Sequence, residues 1–336
     1  MNEQDRVTGS LYGMATGDAL GVPSSFITQD YIAEKWGWID TFYPPEKGHI
    51  FHDGLKAGEY TDDTEQAMAL MKSFIRNKKV DSHDVVNEIL AWAERVKDKY
   101  ASPLGPSTER ALKAIKDGAD INVSGRYGNT NGSAMRISPV GIIHGLRGST
   151  CEEMVKDVYL TCLPTHNTTV CVSSAAAIAW GVALCVRGEQ DIDFIVKETM
   201  RAAEIGKQYG YPIVSPSISR RVEFVYDIVK KSSDDKETMK ELYNYFGGGD
   251  LAAESIPVAI GLFALGKGNV KLVNEYCVNF GGDCDTNAAM AGAMAGAYSG
   301  IEAVPVEWRE TIKKVNGVDF EEFAKQIINL IPEWEC

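Results

Sequence analysis

Apolar residues recur at helical spacing in segment after segment of this chain, and few of its runs alternate as strands do. That pattern restricts the fold to helix packed on helix. Period and flanking caps predict helices over 7–20, 64–75, 84–97, 108–116, 151–160, 169–186, 193–208, 218–230, 251–265, 270–278, 287–298, 305–315 and 320–330. In the first of these, Gly9, Gly13 and Gly17 recur every fourth residue, a stripe that lets another helix approach closely. Residues 23–60 carry Pro44-Pro45, several glycines and aromatics, and predict a long irregular loop of the kind that tends to be functional. No fixed-period repeat or Ser/Gly linker interrupts the pattern, so one domain over 1–336 is expected.

Composition removes several classes of function. At 336 residues, 44% hydrophobic and 24% charged, the chain can bury a large core. No stretch approaches the roughly 20 apolar residues of a membrane helix, so no membrane partner is expected. The polar, acidic start Met1-Asn2-Glu3-Gln4-Asp5-Arg6 has no signal-peptide character, which gives a cytoplasmic expectation. The cysteines at 151, 162, 171, 185, 277, 284 and 336 are odd in number and lack CxxC spacing, against both a disulfide framework and a zinc site. They read instead as small buried hydrophobes. A net charge of -13 with no Lys/Arg-rich run makes nucleic acid a poor partner and cations better ones. Nothing in the sequence points to a protein partner.

Two acidic clusters stand out. Thr61-Asp62-Asp63-Thr64 opens one predicted helix, and Gly282-Asp283-Cys284-Asp285-Thr286 opens another. For the first alone, the simpler explanation is capping, with Asp62 accepting backbone N–H bonds and Asp63 and Glu65 complementing the helix dipole. The second imitates the start of an EF-hand loop, but Ala288 stands where glycine is needed and Met294 where glutamate should close the cage. Each helix start bears two aspartates and a threonine hydroxyl, hard oxygen donors suited to Mg²⁺, Mn²⁺ or Ca²⁺ rather than zinc. If they converge, their mutual repulsion demands cations, and two metals roughly 3.5–4 Å apart suit that donor count.

A third element, Asn131-Gly132-Ser133-Ala134-Met135-Arg136, places small polar residues at a helical turn whose N–H groups suit a phosphate, unless Ser133 is simply an N-cap. His166 precedes a long apolar helix, where a lone histidine is usually a cap. His49 and His52 form HxxH in a loop without a carboxylate at helical spacing, a weak metal signal.

With Gly17-Asp18-Ala19-Leu20-Gly21 and Thr165-His166, these motifs in this order resemble the ADP-ribosyl-glycohydrolase family, which includes dinitrogenase reductase activating glycohydrolase and the ADP-ribosyl-acceptor hydrolases. The resemblance spans nearly the whole chain. It implies a compact all-α orthogonal multi-helix bundle with a dinuclear Mg²⁺ or Mn²⁺ centre at the base of a cleft. It implies metal ligation by Thr61, Asp62 and Asp63 from one side and Asp283, Asp285 and Thr286 from the other. Substrate contacts would come from Asn131, Gly132, Ser133, Met135, Arg136 and His166. The implied reaction is hydrolysis of an ADP-ribosyl N- or O-glycosidic bond, with Asp63 or Asp285 as the catalytic carboxylate. The substrate is then ADP-ribose linked to a side chain or small acceptor. One departure stands: many members carry glutamate where this chain has Ser25. Hydrolysis of a simpler N-riboside on the same metals, or binding of metal and ADP-ribose without catalysis, are the competing expectations.

Overall fold

The computed structural model describes residues 1–97 and 104–335. Its helices are α1 (Glu3–Gly21), α2 (Gln29–Trp36), α3 (Asp62–Asn77), α4 (Ser82–Val96), α5 (Pro106–Lys116), α6 (Ile121–Ser124), α7 (Gly132–Met135), α8 (Ser138–Arg147), α9 (Cys151–His166), α10 (Thr169–Val186), α11 (Ile192–Gly206), α12 (Ile218–Val229), α13 (Asp235–Phe246), α14 (Ala252–Leu265), α15 (Val270–Val278), α16 (Cys284–Ser299), α17 (Val306–Asn316) and α18 (Phe320–Leu330). Among the described residues no strand forms; extended pairing is limited to isolated bridges such as Ile27 to Gly282 and Thr130 to Leu251. The fold is all-α. One continuous buried cluster runs from Val7 to Trp334. The six described cysteines are free and buried; Cys336 lies outside the described residues.

Three expectations need correction. The 23–60 segment is not wholly irregular: Thr28 accepts the Tyr31 amide and opens α2. Helix α13 is not among the helices expected from the sequence, although Met239, Leu242 and Phe246 recur at i, i+3 and i+7 and Asp234 caps the Lys236 and Glu237 amides. Helix α10 has a mean hydropathy of 2.0 over 18 residues, so by length and composition it can cross a bilayer. Composition therefore does not dispose of a membrane span here, but 94% of that helix is buried inside the bundle, where its apolar surface packs against other helices.

The glycine stripe sets the centre of the molecule. A Cβ on Gly9, Gly13 or Gly17 would meet the carbonyl oxygens of Gly296, Gly292 or Ala288 at 2.3, 2.2 and 2.4 Å, and one on Gly21 would meet Asp285 Cα at 2.3 Å. Helices α1 and α16 therefore touch backbone to backbone over four turns, and that contact carries Asp18 to the start of α16. Gly13→Ala is expected to cost about 1–3 kcal/mol, since the three nearest atoms are all main chain and cannot turn aside. Urea unfolding of the variant measures this; an unchanged midpoint would mean that the helix spacing is set elsewhere.

Candidate metal centre

The start of α3 shows how the chain spares its acids. Its N-cap, Thr61, makes no side-chain cap. The capping bonds come instead from Asp18 on α1, whose carboxylate accepts the Thr61 amide at 2.9 Å, the Thr64 amide at 3.0 Å and the Thr64 hydroxyl at 2.6 Å. This corrects the expectation that Asp62 does the capping. Relieved of that task, Asp62 faces the cleft. Asp283, at the N-cap of α16, likewise makes no cap and accepts the Asn131 side-chain amide at 2.7 Å.

The two clusters meet. Asp62, Asp283, Asp285 and Thr286 line one cleft, together with His52 and Asn131. Carboxylate oxygens of Asp18, Asp63 and Asp285 all lie within 4.8 Å of one another, and all three residues are buried. Thr61 Oγ1 stands 2.9 Å from Asp18 Oδ1 and 3.0 Å from Asp63 Oδ2, and its single proton serves only one of them at a time. Thr286 Oγ1 reaches Asp63 Oδ2 across the cleft at 3.4 Å.

Such crowding without cations is costly, and the titration behaviour records it. Burial, then the charge of Asp285, pushes Asp18 and Asp62 each up to about 7. Burial and surrounding aspartates push Asp63 and Asp283 well above the carboxylate range. Asp285 runs the other way: burial opposes its ionisation, but the charge of His52 beside it and the Ser25 hydroxyl hold it below that range. Its Oδ1 takes the Ser25 hydroxyl at 2.5 Å, and its amide donates back to Ser25 Oγ at 3.1 Å. Asp63 Oδ1 is enclosed and has no hydrogen-bond partner. An orphaned carboxylate oxygen among crowded, all-oxygen donors is what a hard divalent cation satisfies, so the residues present fit Mg²⁺ or Mn²⁺. Asp18, with both oxygens already engaged by α3, orients the donors.

The 131–136 segment divides. Asn131, Gly132 and Met135 line the cleft; Ser133, Arg136 and His166 do not. Ser133 is no N-cap but sits inside α7 and donates to the Cys171 carbonyl. Arg136 is fully buried, its guanidinium on Gln66 Oε1 at 2.5 Å and Thr165 Oγ1 at 2.6 Å. Gln66 in turn donates to Asp62 Oδ2 at 3.2 Å, so the arginine reaches the cluster through one intermediary. His166, also fully buried, closes α9; its ring lies between the hydroxyls of Thr165 and Thr130 and under Gly132, where a Cβ would meet it at 2.8 Å. These three residues brace the wall from behind.

Asp18 and His52 were not read as site residues from sequence. Asp18 had a signal, as the one acid in a stretch of α1 buried from Val7 to Gly21. His52 had only the weak HxxH spacing with His49, since its partner Asp285 is 233 positions away.

Comparison with known proteins agrees with the motifs. A family model described as ADP-ribosylglycohydrolase matches residues 1–335. The chain is 34% identical over 321 residues to the uncharacterized protein YegU of Escherichia coli, covering 95% of each. It is 25% identical over 343 residues to ADP-ribosylhydrolase ARH3 of Homo sapiens, covering 94% of this chain and 91% of that one. A solved structure titled ADP-ribosylglycohydrolase-related protein complex superposes with a TM-score of 0.74 at 22% identity, over 98% and 99% of the two chains, which speaks to the fold. With its acidic clusters joined and a matching profile from end to end, this chain belongs to the ADP-ribosylglycohydrolase family.

Proposed function

We propose that the protein hydrolyses an ADP-ribosyl N- or O-glycosidic bond, releasing ADP-ribose from a modified side chain or small acceptor with the help of two divalent cations, Mg²⁺ or Mn²⁺. The observation that carries this reading is the buried meeting of Asp18, Asp63 and Asp285, with the unsatisfied Asp63 Oδ1 among them. Thr61, Asp62 and Asp63 from α3 and Asp283, Asp285 and Thr286 from α16 would hold the cations. When bound, the cations supply positive charge that grips ribose hydroxyls and makes water more acidic.

The chain's own groups divide the remaining work. Asp285, kept ionised by His52 and Ser25, presents negative charge to the oxocarbenium-like centre that forms as the glycosidic bond breaks. Asp63 is the carboxylate that would take the proton of the attacking water. Asn131, Gly132 and Met135 shape the wall facing the rest of the substrate.

The test is release of ADP-ribose from ADP-ribosyl-arginine and ADP-ribosyl-serine peptides with Mg²⁺ or Mn²⁺, with EDTA, and beside free nucleosides as substrates. Cation-dependent release from one of the peptides is expected. Turnover of nucleosides alone would move the activity to simple N-ribosides, and binding of ADP-ribose without turnover of any substrate would remove the enzyme reading.

A further inference from the structure

We propose that Ser255 and Asn287 are positioning residues that fix Asn131 as a donor to Asp283 and so hold that carboxylate for the cation. This rests on the reading of the aspartate cluster as a cation site.

Four segments meet behind Asp283. Ser255 lies in α14, Asn287 in α16, Asn131 just before α7 and Gly248 in the loop after α13. Ser255 and Asn287 are fully buried, and Asn131 and Asp283 nearly so. Asn131 and Asp283 line the cleft, whereas Ser255 and Asn287 stand behind it and act only through their neighbours.

Hydrogen bonds join these residues in a row. Asn287 Nδ2 donates to the Gly248 carbonyl at 3.1 Å, and the Ser255 hydroxyl donates to Asn287 Oδ1 at 2.7 Å. Asn131 Nδ2 donates to Ser255 Oγ at 3.1 Å and to Asp283 Oδ2 at 2.7 Å. The direction of every bond follows from the first. A carbonyl only accepts, so Asn287 turns its amide nitrogen toward Gly248 and its oxygen toward Ser255. The one proton of Ser255 goes to that oxygen, which leaves Oγ an acceptor for Asn131. Asn131 must then present its nitrogen rather than its oxygen, and one hydrogen serves Ser255 while the other serves Asp283. Rotation of the Asn131 amide would break both bonds at once.

The main chain holds the ends of the row in register. The Asp283 amide donates to the same Gly248 carbonyl at 2.7 Å, the Asn287 amide to the Asp283 carbonyl at 3.0 Å, and the Asn131 amide to the Asp250 carbonyl at 2.8 Å. Asp283 is thereby gripped at its backbone and at Oδ2. Partners behind a metal ligand set its orientation, and losing one weakens metal binding by about 10–100-fold.

Mn²⁺ titration of the full chain, followed by the electron paramagnetic resonance signal of the free ion, tests this, with circular dichroism to check folding. Ser255→Ala is expected to weaken Mn²⁺ binding at least about tenfold, and Asn131→Ala at least as much. Because Ser255 acts through Asn131, the double variant is expected to bind no more weakly than Asn131→Ala alone. Asn287→Ala, in a helix already rich in alanine, removes the acceptor of the Ser255 proton and is expected to give a loss similar to that of Ser255→Ala. Wild-type Mn²⁺ affinity in Ser255→Ala and Asn287→Ala, with only a lower melting temperature, would reduce both residues to packing. Losses that add in the double variant would detach Ser255 from Asn131. Either result overturns the relay while leaving the cluster as the cation site, whereas absence of Mn²⁺ binding to the wild type would overturn both readings.

Discussion

Asp285→Asn is expected to lower cation-dependent release of ADP-ribose by at least about 10²-fold, with helical content unchanged. The carboxylate is held from both sides, Oδ1 by Ser25 at 2.5 Å and Oδ2 beside His52 at 2.7 Å, and it neighbours Asp18 and Asp63. An asparagine keeps the shape but removes the charge, and one of its two ends becomes an amide donor where Asp285 has only acceptors. Because the Asp285 side chain is buried, that loss is not recovered by solvent. Steady-state kinetics with an ADP-ribosylated peptide, circular dichroism and a Mn²⁺ titration together test this. Turnover at the wild-type rate in a folded variant would remove Asp285 from the chemistry and, with it, the proposed reaction.

The second large effect concerns stability without metal. In EDTA, the folded protein is expected to lose on the order of a few kcal/mol as pH rises from about 5 to about 8, and saturating Mg²⁺ or Mn²⁺ is expected to abolish most of that loss. Asp18 and Asp62 sit at about 7, and Asp63 and Asp283 are raised well above the ordinary range. Across this window the folded state therefore holds protons that the unfolded chain has released, so stability falls with pH. His52 acts in the same sense, because burial lowers its proton affinity but the Asp285 charge outweighs it and the net shift is upward. His49 and His166 oppose it: burial lowers both, so the unfolded chain binds their protons first as pH drops. Four aspartates and His52 outweigh two histidines. Cations replace the protons and remove the repulsion that raised the aspartates, and they add stability by binding only the folded form. Melting temperatures over that pH range, with EDTA and with each cation, measure the effect. A metal-free profile that rises with pH would show that the aspartates are not crowded as described.

The helical architecture was legible because the core of a helix bundle is written locally, in the 3.6-residue recurrence of apolar side chains and in caps such as Asp81, Asp191 and Ser217. Helix α13 carries the same two signals, Met239, Leu242 and Phe246 at i, i+3 and i+7 behind the cap Asp234, in a stretch otherwise dominated by charged and polar residues. The acidic motifs were legible as donors, and the glycine stripe as a close-packing face. The division of the 131–136 segment was not legible. Arg136 and His166 carry the residue types that bind phosphates and sugars, yet buried partners on α3, α9 and the Thr130 loop turn both away from the cleft.

By itself, the sequence determined that the chain is helical, that oxygen donors cluster at two helix starts, and that α1 can lie against a neighbour with nothing but backbone between them. Only the tertiary structure decided that the neighbour is α16, and hence that Asp18 supplies the capping bonds of α3 and leaves Asp62 to the cleft. It also decided that His52, from a segment with no periodic signal, stands against Asp285. The physical reason is that caps and periods act within a few residues of chain, whereas a shared cation site is a balance of charge among groups hundreds of residues apart, which packing alone brings into range.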